Sequence, residues 1–190
     1  MTVDFTKLAV QGVQELRAYQ PGKPIDELAR EYGLNENDIV KLASNENPMG
    51  PSEKALAAIQ SELSDLTRYP DGNGFELKSA LTKKLNISAD QITLGNGSSD
   101  ILEFIVKCFV NQGDEVIVSQ HAFAIYGLVT KMVGGEIVQV PAKNWGHDLP
   151  AMASAITDKT KIIFVTNPNN PTGTWNTNAQ LESFLQHVPE

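Results

Sequence analysis

Cysteine is nearly missing from this chain: its 190 residues include one, Cys108. An internal disulfide is thereby excluded, and the apolar neighbours Ile105, Val106 and Phe109 predict a thiol held in the core. Histidine is almost as scarce, at three. The spacing of His121, His147 and His187 suits no metal ion. Basic charge is short too. Fifteen Lys and Arg face 23 Asp and Glu, a net charge of -8, which argues against a broad nucleic-acid surface because phosphate contacts are led by basic residues. No run is long and apolar enough to span a bilayer. Asp4 and Lys7 interrupt the amino terminus too early for a signal peptide, so the cytoplasm is the expected compartment. The remaining composition, 41% hydrophobic and 20% charged, is that of a globular protein with one substantial core, or a large piece of a bigger one.

Pattern along the chain divides it. Residues 1-38 read as a helical amino-terminal arm, with a short helix around Val10 to Leu16, a break at Pro21-Gly22-Lys23-Pro24, and a helix from Ile25 to Tyr32 closed by Gly33. Ser52 is placed to cap a helix whose apolar stripe is Leu56, Ile59, Leu63 and Leu66. After a turn at Arg68-Tyr69-Pro70-Asp71-Gly72, a further helix carries Leu77, Leu81 and Leu85. From Gln91 the rhythm is regular. Strands are predicted at Ile92-Leu94, Glu115-Ser119, Glu136-Val140 and Lys161-Thr166, with helices near Asp100-Val110, Phe123-Val133, Leu149-Ile156 and Thr177-His187. Such alternation implies an α/β fold with a mainly parallel sheet and helices on both faces. Residues 39-190 are thus expected to be the front part of a domain that continues in a longer protein.

Three predicted strands end in polar loops, where open α/β sheets bind ligands. Gly95-Asn96-Gly97-Ser98-Ser99-Asp100 opens a helix whose unpaired N–H groups and positive dipole end suit a phosphate. Plain capping by Ser99 or Asp100, with Glu103 three residues beyond Asp100, explains the same residues. A nicotinamide dinucleotide is disfavoured. Asp100 stands where a third glycine belongs, and the second strand ends in Gln120-His121 rather than an acid. Phe123 and Tyr126 follow the next strand and offer an aromatic face to an electron-poor ring, or serve as core contacts of the helix they open. Asn167-Pro168-Asn169-Asn170-Pro171-Thr172-Gly173 follows the last strand. Its prolines stiffen a loop dense in side-chain amides, fit to meet a planar polar ligand. Taken together, the three loops suit a phosphorylated aromatic cofactor.

The order Ser-Asn-Glu-Asn-Pro, Arg-Tyr-Pro-Asp-Gly, Gly-Asn-Gly-Ser-Ser-Asp, His-Ala-Phe-Ala-Ile-Tyr and Asn-Pro-Asn-Asn-Pro-Thr-Gly resembles the histidinol-phosphate aminotransferases. These belong to the fold-type I enzymes that use pyridoxal 5'-phosphate. The resemblance implies that Ser98, Ser99 and Asp100 hold the cofactor phosphate. Phe123 would stack on its ring, and Asn170 would hydrogen-bond its phenolic oxygen. By the same resemblance Tyr69 reaches the phosphate of a second subunit, implying a homodimer, while Tyr19 and Asn47 lie on the substrate side. The implied reaction moves an amino group between L-histidinol phosphate and 2-oxoglutarate, yielding glutamate, in histidine biosynthesis. An aromatic-amino-acid aminotransferase, a related pyridoxal-phosphate enzyme, or a non-catalytic aminotransferase-like fragment are the alternatives. The family's Schiff-base lysine lies later than the asparagine loop, and neither Lys159 nor Lys161 matches it. These 190 residues alone are therefore expected to be inactive, with no catalytic residue assigned and no metal.

Overall fold

The computed structural model describes residues 4–17, Tyr19 and residues 21–189. In chain order its elements are helices α1 (Gln11–Gln14), α2 (Ile25–Tyr32), α3 (Glu53–Glu62), α4 (Phe75–Leu85) and α5 (Ser98–Phe109), strand β1 (Glu115–Ser119), α6 (Ala124–Met132), β2 (Glu136–Val140), α7 (Leu149–Ser154), β3 (Thr160–Ile163) and α8 (Asn178–Leu185). They fall into two compact units. One joins the residues up to Tyr19 with those from Thr93 onward, and the other is Gln20–Ile92.

The first unit is built on a parallel sheet of order β2-β1-β3. Side chains alternate across a strand, and β1 shows the consequence in its burial. Val116 and Val118 enter a cluster with Val106 of α5 and Tyr126 and Val129 of α6. Ile117 enters a second cluster with Val140, Leu149 and Met152 of α7, and Phe184 of α8. Helices thus cover both faces, as the alternation of patterns implies. The β1 residues Val116 and Ile117 are fully enclosed, each contributing about 1.5–3 kcal/mol by burial.

Three expectations are corrected here. Ile92-Leu94 forms no strand; the segment is irregular, and at three residues it has little pairing to hold it. β3 stops at Ile163, with one more ladder bond from the Phe164 amide to the Ile117 carbonyl (3.0 Å). Beyond it the Thr166 carbonyl accepts from a side chain, His147, instead of a strand. Cys108 is exposed, not a core thiol. Helix α5 lays Leu102 and Val106 on the sheet, and this stripe leaves Ile105, Cys108 and Phe109 on its outer side.

The second unit contains α2, α3 and α4. Gly33 takes the left-handed conformation (φ 64°) at the end of α2, the cap its position predicts. Ser52 occupies the N-cap of α3 without a side-chain cap bond. The apolar stripe Leu56, Ile59, Leu63 and Leu66 is present but exposed. Asp71 holds the turn before α4, accepting from the Asn73 amide (2.9 Å) and the Phe75 amide (2.8 Å). Those two N–H groups hold its carboxyl below the usual range, Phe75 foremost.

Candidate functional site

The predicted residues of the first unit gather on loops that leave carboxyl ends of its strands or open its helices. Helix α5 begins at Ser98, and its N-cap is Gly97 (φ 78°, ψ 179°), a conformation that glycine accepts readily. No side chain caps this end. Capping by Ser99 or Asp100 is therefore corrected. The Asp100 carboxylate instead accepts from the Asn96 amide at 2.9 Å and folds the loop back. Glu103 is engaged by Lys107 at 2.5 Å, leaving no capping box. Ser98 and Ser99 are exposed. The first turn of α5 accordingly offers N–H groups and two hydroxyls to an anion.

Phe123 is the N-cap residue of α6 and is half-buried. Leu102, one turn into α5, packs against the same core cluster as Phe123. The Phe123 ring stands edge-on to Tyr126 at 6.1 Å and to Tyr19 at 6.4 Å. Tyr19, named from the sequence without a partner, therefore lies beside Phe123. Tyr126 is a core residue: it stacks on Phe164 at 4.3 Å, and its hydroxyl meets the Thr166 hydroxyl at 2.6 Å.

The asparagine loop follows β3, and both of its Asn-Pro bonds are cis. Asn170 is half-buried, and among the described residues its carboxamide has no protein hydrogen bond. Its neighbour Asn169 is different, only 4% exposed. The Asn169 carboxamide donates to the His121 carbonyl (3.0 Å) and to the Thr172 hydroxyl (2.8 Å). The first of these bonds ties the loop bearing Asn170 to the segment leading into Phe123. Lys159 and Lys161 lie at the opposite end of β3.

Asn47 and Tyr69 belong to the second unit. The Asn47 carboxamide closes its own turn, accepting from the Met49 amide and donating to the Gly50 carbonyl, each at 3.0 Å. Tyr69 is fully exposed, beside Arg68, which pairs with Asp65 at 2.5 Å.

Residues that sequence reasoning passed over complete the group. His147 is 7% exposed and donates from Nε2 to the Thr166 carbonyl at 3.0 Å, leaving Nδ1 buried without a partner. Burial pushes its pKa below the ordinary imidazole value, against the smaller opposing effect of that hydrogen bond. Trp145 stacks on His121 at 4.7 Å. No local signal separates Asn169 from Asn170, and nothing in the sequence marks His147 as buried. For Trp145 the usable signal is the Asn144-Trp145-Gly146 run, whose Asn and Gly favour a tight turn.

Known proteins resemble this chain in sequence and in fold. Residues 37–190 match the family described as aminotransferase class I and II. Histidinol-phosphate aminotransferase 2 of Pseudomonas fluorescens is 58% identical over 189 residues, 100% of this chain and 51% of that protein. Its namesake in Pseudomonas aeruginosa is 56% identical, with 98% and 50% covered. The crystal structure of histidinol-phosphate aminotransferase from Sinorhizobium meliloti in complex with pyridoxal-5'-phosphate superposes with a TM-score of 0.82 at 26% identity, covering 95% of this chain and 47% of that one. The chain spans about half the length of the curated relatives it matches. A shared fold and a family match over most of its residues lead to one conclusion: this chain belongs to the class I and II aminotransferases.

Proposed function

We propose that the whole protein is a pyridoxal-phosphate-dependent aminotransferase exchanging an amino group between L-histidinol phosphate and 2-oxoglutarate, with glutamate as the other product. The observation that carries the reading is the bond from Asn169 to the His121 carbonyl at 3.0 Å, because it sets Asn170 and Phe123 on adjoining loops. The open first turn of α5, the half-buried Phe123 ring and the unpartnered Asn170 carboxamide fit the cofactor's phosphate, ring face and phenolic oxygen in turn. The names of the relatives support the choice of substrate.

Ser98 and Ser99 hold the phosphate through their hydroxyls and the α5 N-terminus, while Asp100 keeps the loop in shape through the Asn96 amide. Phe123 orients the ring by contact with its face. Asn170 donates a hydrogen bond to the phenolic oxygen and favours its anionic form. When bound, pyridoxal 5'-phosphate supplies the electron sink for removing a proton from the amino donor. Tyr19, beside Phe123, lies on the substrate side, and the resemblance to the family assigns Asn47 a substrate-side role as well. Tyr69 reaches the phosphate of a second subunit in a cytoplasmic homodimer, and its complete exposure leaves it free for that contact.

Competition kinetics on the whole protein test the substrate. Histidinol phosphate is expected to exclude phenylalanine as amino donor, and preference for phenylalanine would assign the aromatic-amino-acid activity instead. The 190 residues assayed by themselves are expected to give no amino transfer.

A further inference from the structure

The Asn169 carboxamide gives both of its amide protons to neighbours, while its Oδ1 is buried with no hydrogen-bond partner among the described residues. Its two amide protons go to the His121 carbonyl and the Thr172 hydroxyl. A carbonyl cannot donate, so the amide nitrogen, and not the oxygen, faces His121. Its backbone is committed too: the Asn169 amide donates to the Thr174 carbonyl and the Gly173 amide to the Asn169 carbonyl, each at 2.8 Å. From Thr172 the chain of donors continues in one direction. The Thr172 hydroxyl meets that of Thr174 at 2.8 Å, and Thr174 in turn donates to the Trp145 carbonyl at 3.4 Å. Trp145 then stacks on His121, closing a ring of contacts that runs through the loops after β1, β2 and β3.

Trp145 holds its place at a cost. It and Asn144 both have positive φ, 65° and 50°, in the tight turn bridging Lys143 and Gly146. Asparagine tolerates that conformation; for tryptophan it carries steric strain between Cβ and the backbone. Such strain persists where the surroundings over-determine it.

We propose that Asn169 is a positioning residue, the centre of a clasp (Asn169, Thr172, Thr174, Trp145, His121) that sets Phe123 and Asn170 at the spacing needed to grip one ring between them. At 4% exposure its side chain does not reach a ligand itself. The inference rests on the cofactor reading given above. It also explains why asparagine stands here: aspartate has the same shape but donates neither bond.

The test uses the whole protein. Thr172→Val removes the hydroxyl that accepts from Asn169, Thr172→Ser restores it, and Asn169→Asp removes both donations. Thr172→Val and Asn169→Asp are expected to raise the dissociation constant of pyridoxal 5'-phosphate about tenfold or more. Both should shift the pH midpoint of the bound cofactor's absorbance, and Thr172→Ser should return both quantities to near wild type. In the cofactor-free protein, nuclear magnetic resonance should show faster exchange of the Asn169 side-chain amide and displaced Phe123 and Asn170 resonances in Thr172→Val. Should Asn169→Asp not fold, the Thr172 pair decides. A folded Thr172→Val protein with wild-type affinity and midpoint overturns the clasp. Asn170→Ala, run in parallel, separates the two readings. Affinity lost there but kept in Thr172→Val overturns the clasp alone; affinity kept in both overturns the cofactor site, and the clasp with it.

Discussion

His147 and Asn170 show opposite ways for a polar side chain to sit beside strand ends. His147 is enclosed, and its Nδ1 has no acceptor nearby, so a proton added there would leave a buried, unpaired charge. Its pKa is lowered by burial, and the sign of the linkage follows. Below the ordinary imidazole value of 6.5 the unfolded chain takes up a proton that the folded one refuses. Stability is therefore whole above that pH and falls as the pH drops toward the lowered folded value. Denaturant titrations between pH 7.5 and 5 should show this decline, and His147→Gln should flatten it. Asn170, by contrast, is half-buried, and its carboxamide has no protein partner among the described residues. Asn170→Ala should leave the unfolding midpoint within about 0.5 kcal/mol of wild type. In the whole protein it should weaken pyridoxal phosphate by roughly tenfold, as expected for one hydrogen bond to a charged oxygen. Equilibrium dialysis with the cofactor reads the second effect.

At the scale of elements, β1 governs the first unit because it carries both cores. Ile117 is fully enclosed among Met152, Leu149 and Phe184 on one face of the sheet. Ile117→Ala is expected to destabilise that unit by about 2–5 kcal/mol, seen as a lower denaturation midpoint. The arm helix α1 depends on one close approach. A β-carbon at Gly12 would overlap the Lys131 carbonyl oxygen of α6. Gly12→Ala should displace α1 at a cost of about 1–3 kcal/mol, detected as faster hydrogen exchange across Gln11–Gln14. No local pattern warns of this contact. The sequence pattern did place β1 and β2 as short apolar-rich runs, and α2 by helical spacing closed at Gly33. It failed at Ile92-Leu94 and at Cys108. Three apolar-rich residues or a cluster beside a thiol do not say which neighbour will cover them.

Across the whole molecule the two units differ in how well they are enclosed. Ala29 is the one buried hydrophobic residue among the described residues of the second unit. Leu56, Ile59, Leu63, Leu66, Phe75 and Leu77 are exposed there. Apolar surface on this scale is a face for packing against further protein, either the remainder of the longer protein or the second subunit of the proposed homodimer. Sedimentation velocity on the whole protein should return twice the monomer mass. Tyr69→Phe should keep that mass while weakening cofactor affinity, because only the hydroxyl is lost.

The sequence by itself determined the alternation of strands and helices, the polar loops that end the strands, and the kinship with aminotransferases. All of these are local patterns, written in the spacing of apolar residues and in short runs of Gly, Asn and Pro. The tertiary structure decided what no local pattern encodes. It enclosed Asn169 rather than Asn170, left His147 with a lone buried nitrogen, brought Tyr19 against Phe123 and turned Cys108 outward. Burial and hydrogen-bond partners are properties of the neighbours that folding brings together. Here those neighbours are distant in the chain: Thr166 is 19 positions from His147, His121 is 48 from Asn169, and Phe123 lies far beyond Tyr19, so no local run of residues can encode the contact.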